Sequence, residues 1–180
     1  MSSPDPAVEV SRERLTAIEL LTFDIDGTLT DATTWWAGET AGWVQRYSVR
    51  DGEALLRMAR AGLPVVPLSR NKTEAARRRV EHLGCSTQWL GVGDKLAALT
   101  EIRRLHGEVA LDTVLHVGDG LDDTPVLEVV GLGVAVADAH PVALRAAQLV
   151  TRAAGGERVI EELEGLLIAA GNPRLAGRQP

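Results

Sequence analysis

Short apolar runs of strand length recur along this chain, separated by segments whose apolar positions fall at helical spacing. The runs are Ile18–Phe23, Leu63–Ser69, Cys85–Leu90, Thr113–Val117, Gly133–Ala137 and Leu149–Thr151, and most are bounded by Gly, Pro or Asp. Between them the pattern predicts helices over Gly52–Ala61, Lys72–Leu83, Asp94–His106, Asp123–Val130, Pro141–Ala147 and Glu157–Ala170. Asp51 stands where a cap for the first of these belongs, Gly62 and Gly84 where two of them should stop, and Pro125 in a first turn. In Asp94–His106 the apolar positions Leu96, Leu99, Ile102 and Leu105 make one face. Strand alternating with helix predicts an α/β fold, a Rossmann-like three-layer α/β/α sandwich around a parallel sheet. Pro67 counts against its run as a central strand, because it has no N–H to give a ladder.

One segment departs from that rhythm. Residues 33–49 carry Trp35, Trp36, Trp43 and Tyr47, with Gly38 and Gly42 around a short polar turn. They read as a small β-hairpin flap, too short to be a large cap domain. A lone two-stranded ribbon cannot bury such aromatics, and aromatics of this kind are enriched in interface cores. Residues 1–17 are expected as a leader, 18–171 as one domain with the flap inside it, and 172–180 as a flexible tail.

Composition narrows the class. The chain has 180 residues, enough for a full core, and 45% of them are hydrophobic. No apolar run reaches the length of a membrane span, and the charged stretch before Leu15 is not that of a signal peptide. The single cysteine, Cys85, excludes an intrachain disulfide and suits a cytoplasmic location. A net charge of −6 argues against nucleic-acid or membrane-surface partners. It also means that an anionic substrate needs local help, from a metal or a few placed cations.

The chemistry gathers at strand ends, since ligands of open parallel sheets bind outside the carboxyl ends of the strands. The first run leads into Asp24-Ile25-Asp26-Gly27-Thr28, the second into Ser69-Arg70-Asn71, the fourth into Gly118-Asp119-Gly120 with Asp122 and Asp123 behind, and Lys95 opens the helix in between. Strand alternation would place Asp24 and Asp26 on one side. Clustered acids are costly to bury without a partner, and at such a rim the partner expected is a hard cation, Mg2+.

Asp24-Ile25-Asp26-Gly27-Thr28 resembles the first motif of the haloacid dehalogenase superfamily of phosphotransferases. The resemblance implies that Asp24 is the nucleophile that becomes an aspartyl phosphate, and that Asp26 is the general acid and base. It implies that Ser69 binds the phosphoryl group and that Lys95 steadies the nucleophile and the transferring charge. Mg2+ would be held by Asp24, the Asp26 carbonyl oxygen and Asp119, with Asp123 in support.

Val49-Arg50-Asp51-Gly52, Gly93-Asp94-Lys95-Leu96, Val134 to Pro141 and Val150 to Gly156 resemble the capless branch, and within it the 3-deoxy-D-manno-octulosonate 8-phosphate phosphatases. That branch implies a phosphorylated sugar or sugar acid as substrate, substrate contacts from Arg50 and Arg152, and a homotetramer in which neighbouring subunits supply the lid. Arg174 and Arg178 in the tail could then reach a neighbour's mouth. Two departures stand out: the family's Thr-Gly-Arg after the second strand is Ser69-Arg70-Asn71 here, and its Gly-Asp-Asp is Gly118-Asp119-Gly120. Arg70 and Asn71 thus join the candidate substrate contacts. The first departure also leaves a second reading open, a catalytically weak module that binds a partner enzyme or assembles oligomers.

Overall fold

The structure, a computed structural model, describes residues 10–176. Most of the expected leader, residues 1–9, and Arg178 lie outside the described residues. The elements in chain order are α1 (Arg12–Ala17), β1 (Leu20–Phe23), β2 (Trp35–Trp36), β3 (Trp43–Val44), α2 (Val49–Arg60), β4 (Val65–Pro67), α3 (Glu74–His82), α4 (Lys95–Leu105), β5 (Val114–Gly118), α5 (Thr124–Val129), β6 (Leu132–Ala135), α6 (Pro141–Ala146), β7 (Leu149–Val150) and α7 (Val159–Ala170).

Five of the strands form one parallel sheet in the order β4-β1-β5-β6-β7. The first strand in sequence therefore sits between partners that arrive much later, with Phe23 opposite Pro67 on one side and Val117 on the other. Alternation along β1 sorts its side chains. Leu21 and Phe23 pack with α1, α2 and α7, whereas Leu20 packs with α4 and α5. Helices thus cover both faces, giving the three-layer α/β/α sandwich that the sequence predicts. Val114 in β5 faces α4 and α5 like Leu20, which puts Thr22 and His116 on that same face, beneath the helices that carry Lys95 and Asp123.

Four details differ from expectation. Cys85–Leu90 is not a strand; only Leu90 pairs, through an isolated bridge to Ser69, so β4 is the sheet edge. An edge is where a proline is tolerated, which accounts for Pro67. Asp51 does not cap its own helix. Ser48 does that, accepting from the Asp51 N–H. The Asp51 carboxylate instead reaches across the molecule to the start of α7, accepting from the N–H groups of Arg158 (3.1 Å), Ile160 (2.7 Å) and Glu161 (3.1 Å). A buried carboxylate that takes donors from a helix N-terminus satisfies both groups at once.

The described parts of the expected leader and tail, residues 10–17 and 172–176, are also tied to the rest of the domain. Leu15 is buried, and the side-chain amide of Asn172, fully buried, donates to the carbonyls of Leu15 (2.8 Å) and Ile18 (3.0 Å). Leu175 is buried as well. Their apolar contacts are long-range, and a local reading of polar composition does not see them. No helix among the described residues is long and apolar enough to cross a membrane.

Candidate active site

After Phe23 the chain leaves the sheet and turns. The N–H groups of Thr28, Leu29 and Thr30 all converge on the carbonyl of Ile25 (2.9–3.3 Å). Gly27 has φ +76°, and a Cβ there would run into the carboxylate of Asp119, so only glycine lets this turn approach the end of β5. A second clamp comes from the far end of the chain. The Gly156 N–H donates to the Thr28 carbonyl (2.9 Å), Gly155 lies against the backbone of Gly27 and Thr30, and Asp138 Oδ1 accepts from the Gly155 N–H (2.8 Å).

The two aspartates of the turn part company. Alternation ends with the strand at Phe23, so it does not govern Asp26. Asp24 is buried (5% exposed), with Lys95 Nζ 3.1 Å from its Oδ1 and the Ser69 hydroxyl and the Ile25 N–H against its carboxylate. Asp26 is half-buried and turns toward the hairpin, where the side-chain amides of Gln45 and Asn71 meet it at 2.5 and 2.9 Å.

Lys95 is the hub of the buried side. Its Nζ lies 2.7 Å from Asp123 Oδ1, 3.1 Å from Asp24 Oδ1 and 3.1 Å from Asp122 Oδ2, at 3% residue exposure. Burial by itself works against its charge, but the carboxylates of Asp24, Asp123 and Asp122 outweigh it and hold the ammonium above its ordinary pKa. Asp123, fully buried, has both oxygens occupied. Oδ1 takes Lys95 and His116 Nε2 (3.0 Å), and Oδ2 accepts from the N–H groups of Asp119 (3.2 Å) and Gly120 (3.0 Å). Burial opposes its ionisation too, yet His116 and Lys95 prevail and its pKa falls. Since the Asp123 carboxylate can only accept from the imidazole, Nε2 carries a hydrogen, and Nδ1 lies 2.9 Å from the Thr22 hydroxyl.

Asp24 and Asp119 are compensated only in part, chiefly by Lys95. Burial, then the charge of Asp123, pushes each of them up to about 7. Asp24 Oδ1, although close to Lys95, has no well-aligned hydrogen bond among the described residues. Asp24, Asp119 and Asp123 each offer a carboxylate oxygen, all within 4.8 Å of one another. Because Asp123 is saturated by protein donors, Asp24 and Asp119 are the two residues whose charge is left for a cation to balance. Their oxygen-only donor set suits a hard divalent ion.

Beside this cluster a cavity of about 540 Å3 opens, bordered by Asp26, Asp119, Trp43, Gln45, Arg70 and Asn71 among others. A larger hollow, about 700 Å3, lies at the opposite end of the sheet near Arg14, Asp112 and Val129. It gathers no comparable set of buried polar groups, and chemistry rather than size identifies the site.

The residues predicted from sequence divide accordingly. Asp24, Asp26, Ser69, Lys95, Asp119 and Asp123 converge at the rim, with Arg70 and Asn71 on the cavity wall. Arg50 and Arg152 stand elsewhere, around the start of α7. Arg50 pairs with Glu161 at 3.3 Å, and the Arg152 N–H donates to Glu162 (3.0 Å). Arg174 is farther still, bonded to Glu19 and the Gly62 carbonyl at the amino end of the sheet. The sequence reading missed Gln45 and His116. A histidine at an alternate position of an apolar strand, two residues before the strand-end glycine, was the available signal for His116. Gln45 had none, for its placement depends on how the hairpin folds over. Of the aromatics, Tyr47 is not part of an exposed set; it packs into the core under the Arg79 guanidinium, 5.6 Å from the ring centre.

A family model for haloacid dehalogenase-like hydrolases matches residues 91–162. The 3-deoxy-D-manno-octulosonate 8-phosphate phosphatase of Escherichia coli K12 is 35% identical over 153 residues, 85% of this chain and 80% of that protein. The crystal structure of the phosphatase of the same name from Yersinia pestis superposes with a TM-score of 0.84 at 32% identity, covering 92% of this chain and 88% of that one. A cobalt-bound deoxy-D-mannose-octulosonate 8-phosphate phosphatase from Haemophilus influenzae superposes with a TM-score of 0.80 at 28% identity, covering 87% and 91%.

Proposed function

This chain belongs to the haloacid dehalogenase superfamily, as a phosphatase of its capless branch, and from that premise we propose that it hydrolyses a sugar-acid phosphate monoester of the 3-deoxy-D-manno-octulosonate 8-phosphate type through an aspartyl phosphate. The observation that carries the reading is the environment of Asp24. A buried carboxylate at the end of the central strand sits 3.1 Å from a fixed lysine, beside two further acids that leave the site short of positive charge. The names of the relatives support the substrate class, and the cobalt-bound relative supports a divalent ion.

In this reading Asp24 attacks phosphorus. An Asp24 oxygen–phosphorus bond forms, the bond from phosphorus to the sugar oxygen breaks, and the proton of Asp26 passes to that leaving oxygen. Asp26 then takes a proton from water as the water's oxygen attacks phosphorus, the bond to Asp24 breaks, and inorganic phosphate departs. Lys95 holds Asp24 in place and faces the charge that develops on the transferring group. The Ser69 hydroxyl, which lies beside the Asp24 carboxylate, would bond a phosphoryl oxygen. Asp24, Asp119 and the Asp26 carbonyl would hold Mg2+, which when bound offsets the negative charge of phosphate and carboxylates together. Asp123 acts indirectly, fixing Lys95. Arg70 and Lys72 are exposed cations on this wall and are available to an anionic substrate.

We further propose that the hairpins of several copies meet and supply the enclosure a capless subunit lacks. The exposure of Trp35, Trp36 and Trp43, at 48, 50 and 64%, supports this. The test is turnover of 3-deoxy-D-manno-octulosonate 8-phosphate within a screen of phosphorylated sugars and sugar acids, with Mg2+ and with chelator. Release of phosphate that survives Asp24→Asn would overturn the mechanism, and a clear preference for a neutral sugar phosphate would overturn the substrate class.

A further inference from the structure

Asp26 Oδ1 receives two amide donors. Gln45 Nε2 approaches it at 2.5 Å and Asn71 Nδ2 at 2.9 Å, while Oδ2 receives no hydrogen bond among the described residues, and Asp26 is one of the residues that line the cavity. The orientation of both amides is determined by their other ends. Asn71 Oδ1 accepts from the N–H (2.9 Å) and the hydroxyl (2.7 Å) of Thr73, so its nitrogen must face Asp26. Thr73 is itself the cap of α3, accepting from the Ala76 N–H at 3.2 Å. Gln45 Oε1 accepts from Asn71 Nδ2 (3.3 Å) and, more weakly, from the Tyr47 hydroxyl (3.4 Å). The carboxylate is therefore clamped between a helix start on one side and the hairpin on the other.

An oxygen that already accepts from two N–H groups has no place for a hydrogen of its own. We propose that Gln45 and Asn71 are positioning residues for Asp26: they reserve Oδ1 as an acceptor and leave Oδ2, the oxygen without a protein donor among the described residues, as the one that gives the proton to the leaving oxygen and later takes one from water. The inference rests on the reading of Asp26 as general acid and base. It gives Asn71 a role that a substrate-contact reading does not, and it ties the hairpin to the chemistry, since Gln45 reaches Asp26 only while the hairpin lies over the turn.

The test uses a leaving-group series, p-nitrophenyl phosphate, phenyl phosphate and 3-deoxy-D-manno-octulosonate 8-phosphate, on the full chain with Mg2+. The quantity read is kcat/KM, which covers steps through departure of the leaving group. A nitrophenolate leaves without a proton, whereas an alkoxide needs one. Gln45→Met and Asn71→Ala should each lower kcat/KM on the sugar phosphate by about tenfold or more, part of the roughly 100- to 10,000-fold that a general acid contributes. On p-nitrophenyl phosphate both should lose at least about threefold less than on the sugar phosphate, and melting temperatures near that of wild type would show that the variants fold. Asp26→Asn is the reference and should show the same dependence more steeply. Equal losses by the two variants across the series, alongside a steep Asp26→Asn, would overturn the positioning role alone. A flat Asp26→Asn series would instead overturn the reading of Asp26, and the inference with it.

Discussion

The rim of the sheet and the hairpin above it are built in opposite ways. At the rim, Lys95, Asp123 and His116 are buried and every one of them is paired with a named partner in the same chain. In the hairpin the strands are two residues long, Trp36 and Trp43 meet edge to face at 5.6 Å, and all three tryptophans stay about half exposed or more. The contrast follows from what each group costs. A buried charge without its counter-charge is destabilising by several kcal/mol, so the partners must be present whenever the chain is folded. An exposed apolar surface costs far less and can wait for a surface from outside. Chemistry is thus intrinsic to the subunit, and enclosure is left open.

The sharpest way to break that contrast is to remove the nucleophile. Asp24→Asn should lower turnover of every phosphate ester by on the order of 10,000-fold or more while leaving assembly unchanged, read by phosphate release and sedimentation. Chelation comes next. Protein stripped of divalent ions should lose nearly all turnover and regain it with Mg2+; full activity in excess chelator would remove the metal from the reading.

Stability against pH sharpens the same point. Asp24 and Asp119 have folded pKa values raised to about 7, above their ordinary carboxylate values. The folded state then binds more protons than the unfolded one between about pH 4 and 7, and stability must fall as pH rises through that window. The melting temperature of metal-free protein should therefore drop between pH 5 and pH 8, and Mg2+ or Asp119→Asn should flatten the slope. A metal-free Tm that climbs over that range would contradict the incompletely compensated charge. The smallest effect on chemistry belongs to the hairpin. Replacing Trp35, Trp36 and Trp43 together with Ser should dissociate the oligomer and raise KM on the sugar phosphate, with kcat on p-nitrophenyl phosphate within a few-fold of wild type. A wild-type protein that sediments as a monomer at full activity would refute the shared enclosure.

The fold was legible because its signals are local. Apolar runs of strand length, helical spacing and glycines at helix ends suffice to order a parallel sheet, and the order of the sheet brings Asp24, Ser69, Lys95 and Asp119 to one rim. What escaped is long-range. Asp51 has the sequence position of a cap for α2, yet its carboxylate serves α7, more than a hundred residues on. Leu90 resembles the end of a strand but finds only one bridge. Gln45 is one polar residue in a flap until the hairpin folds over Asp26. Arg50 and Arg152, candidates only through the family resemblance, illustrate the same limit: the sequence does not show that α7 supplies Glu161 to the Arg50 guanidinium and Glu162 to the Arg152 main-chain N–H.

The loop of Gly155 and Gly156 has a consequence for how the molecule is made. By the time Asp123 is synthesised, a growing chain contains every residue assigned to the chemistry. The turn that aims Asp24 and Asp26 is nevertheless locked by glycines some thirty residues later, and α2 receives its partner α7 through Asp51 later still. A nascent chain therefore holds a full set of reactive groups without a site, and the site arrives only with the last fifth of the chain. Contacts of such sequence separation form slowly and late. Premature termination anywhere before Gly156 should yield a product that is inert toward the cell's phosphate esters, not a small, unselective phosphatase.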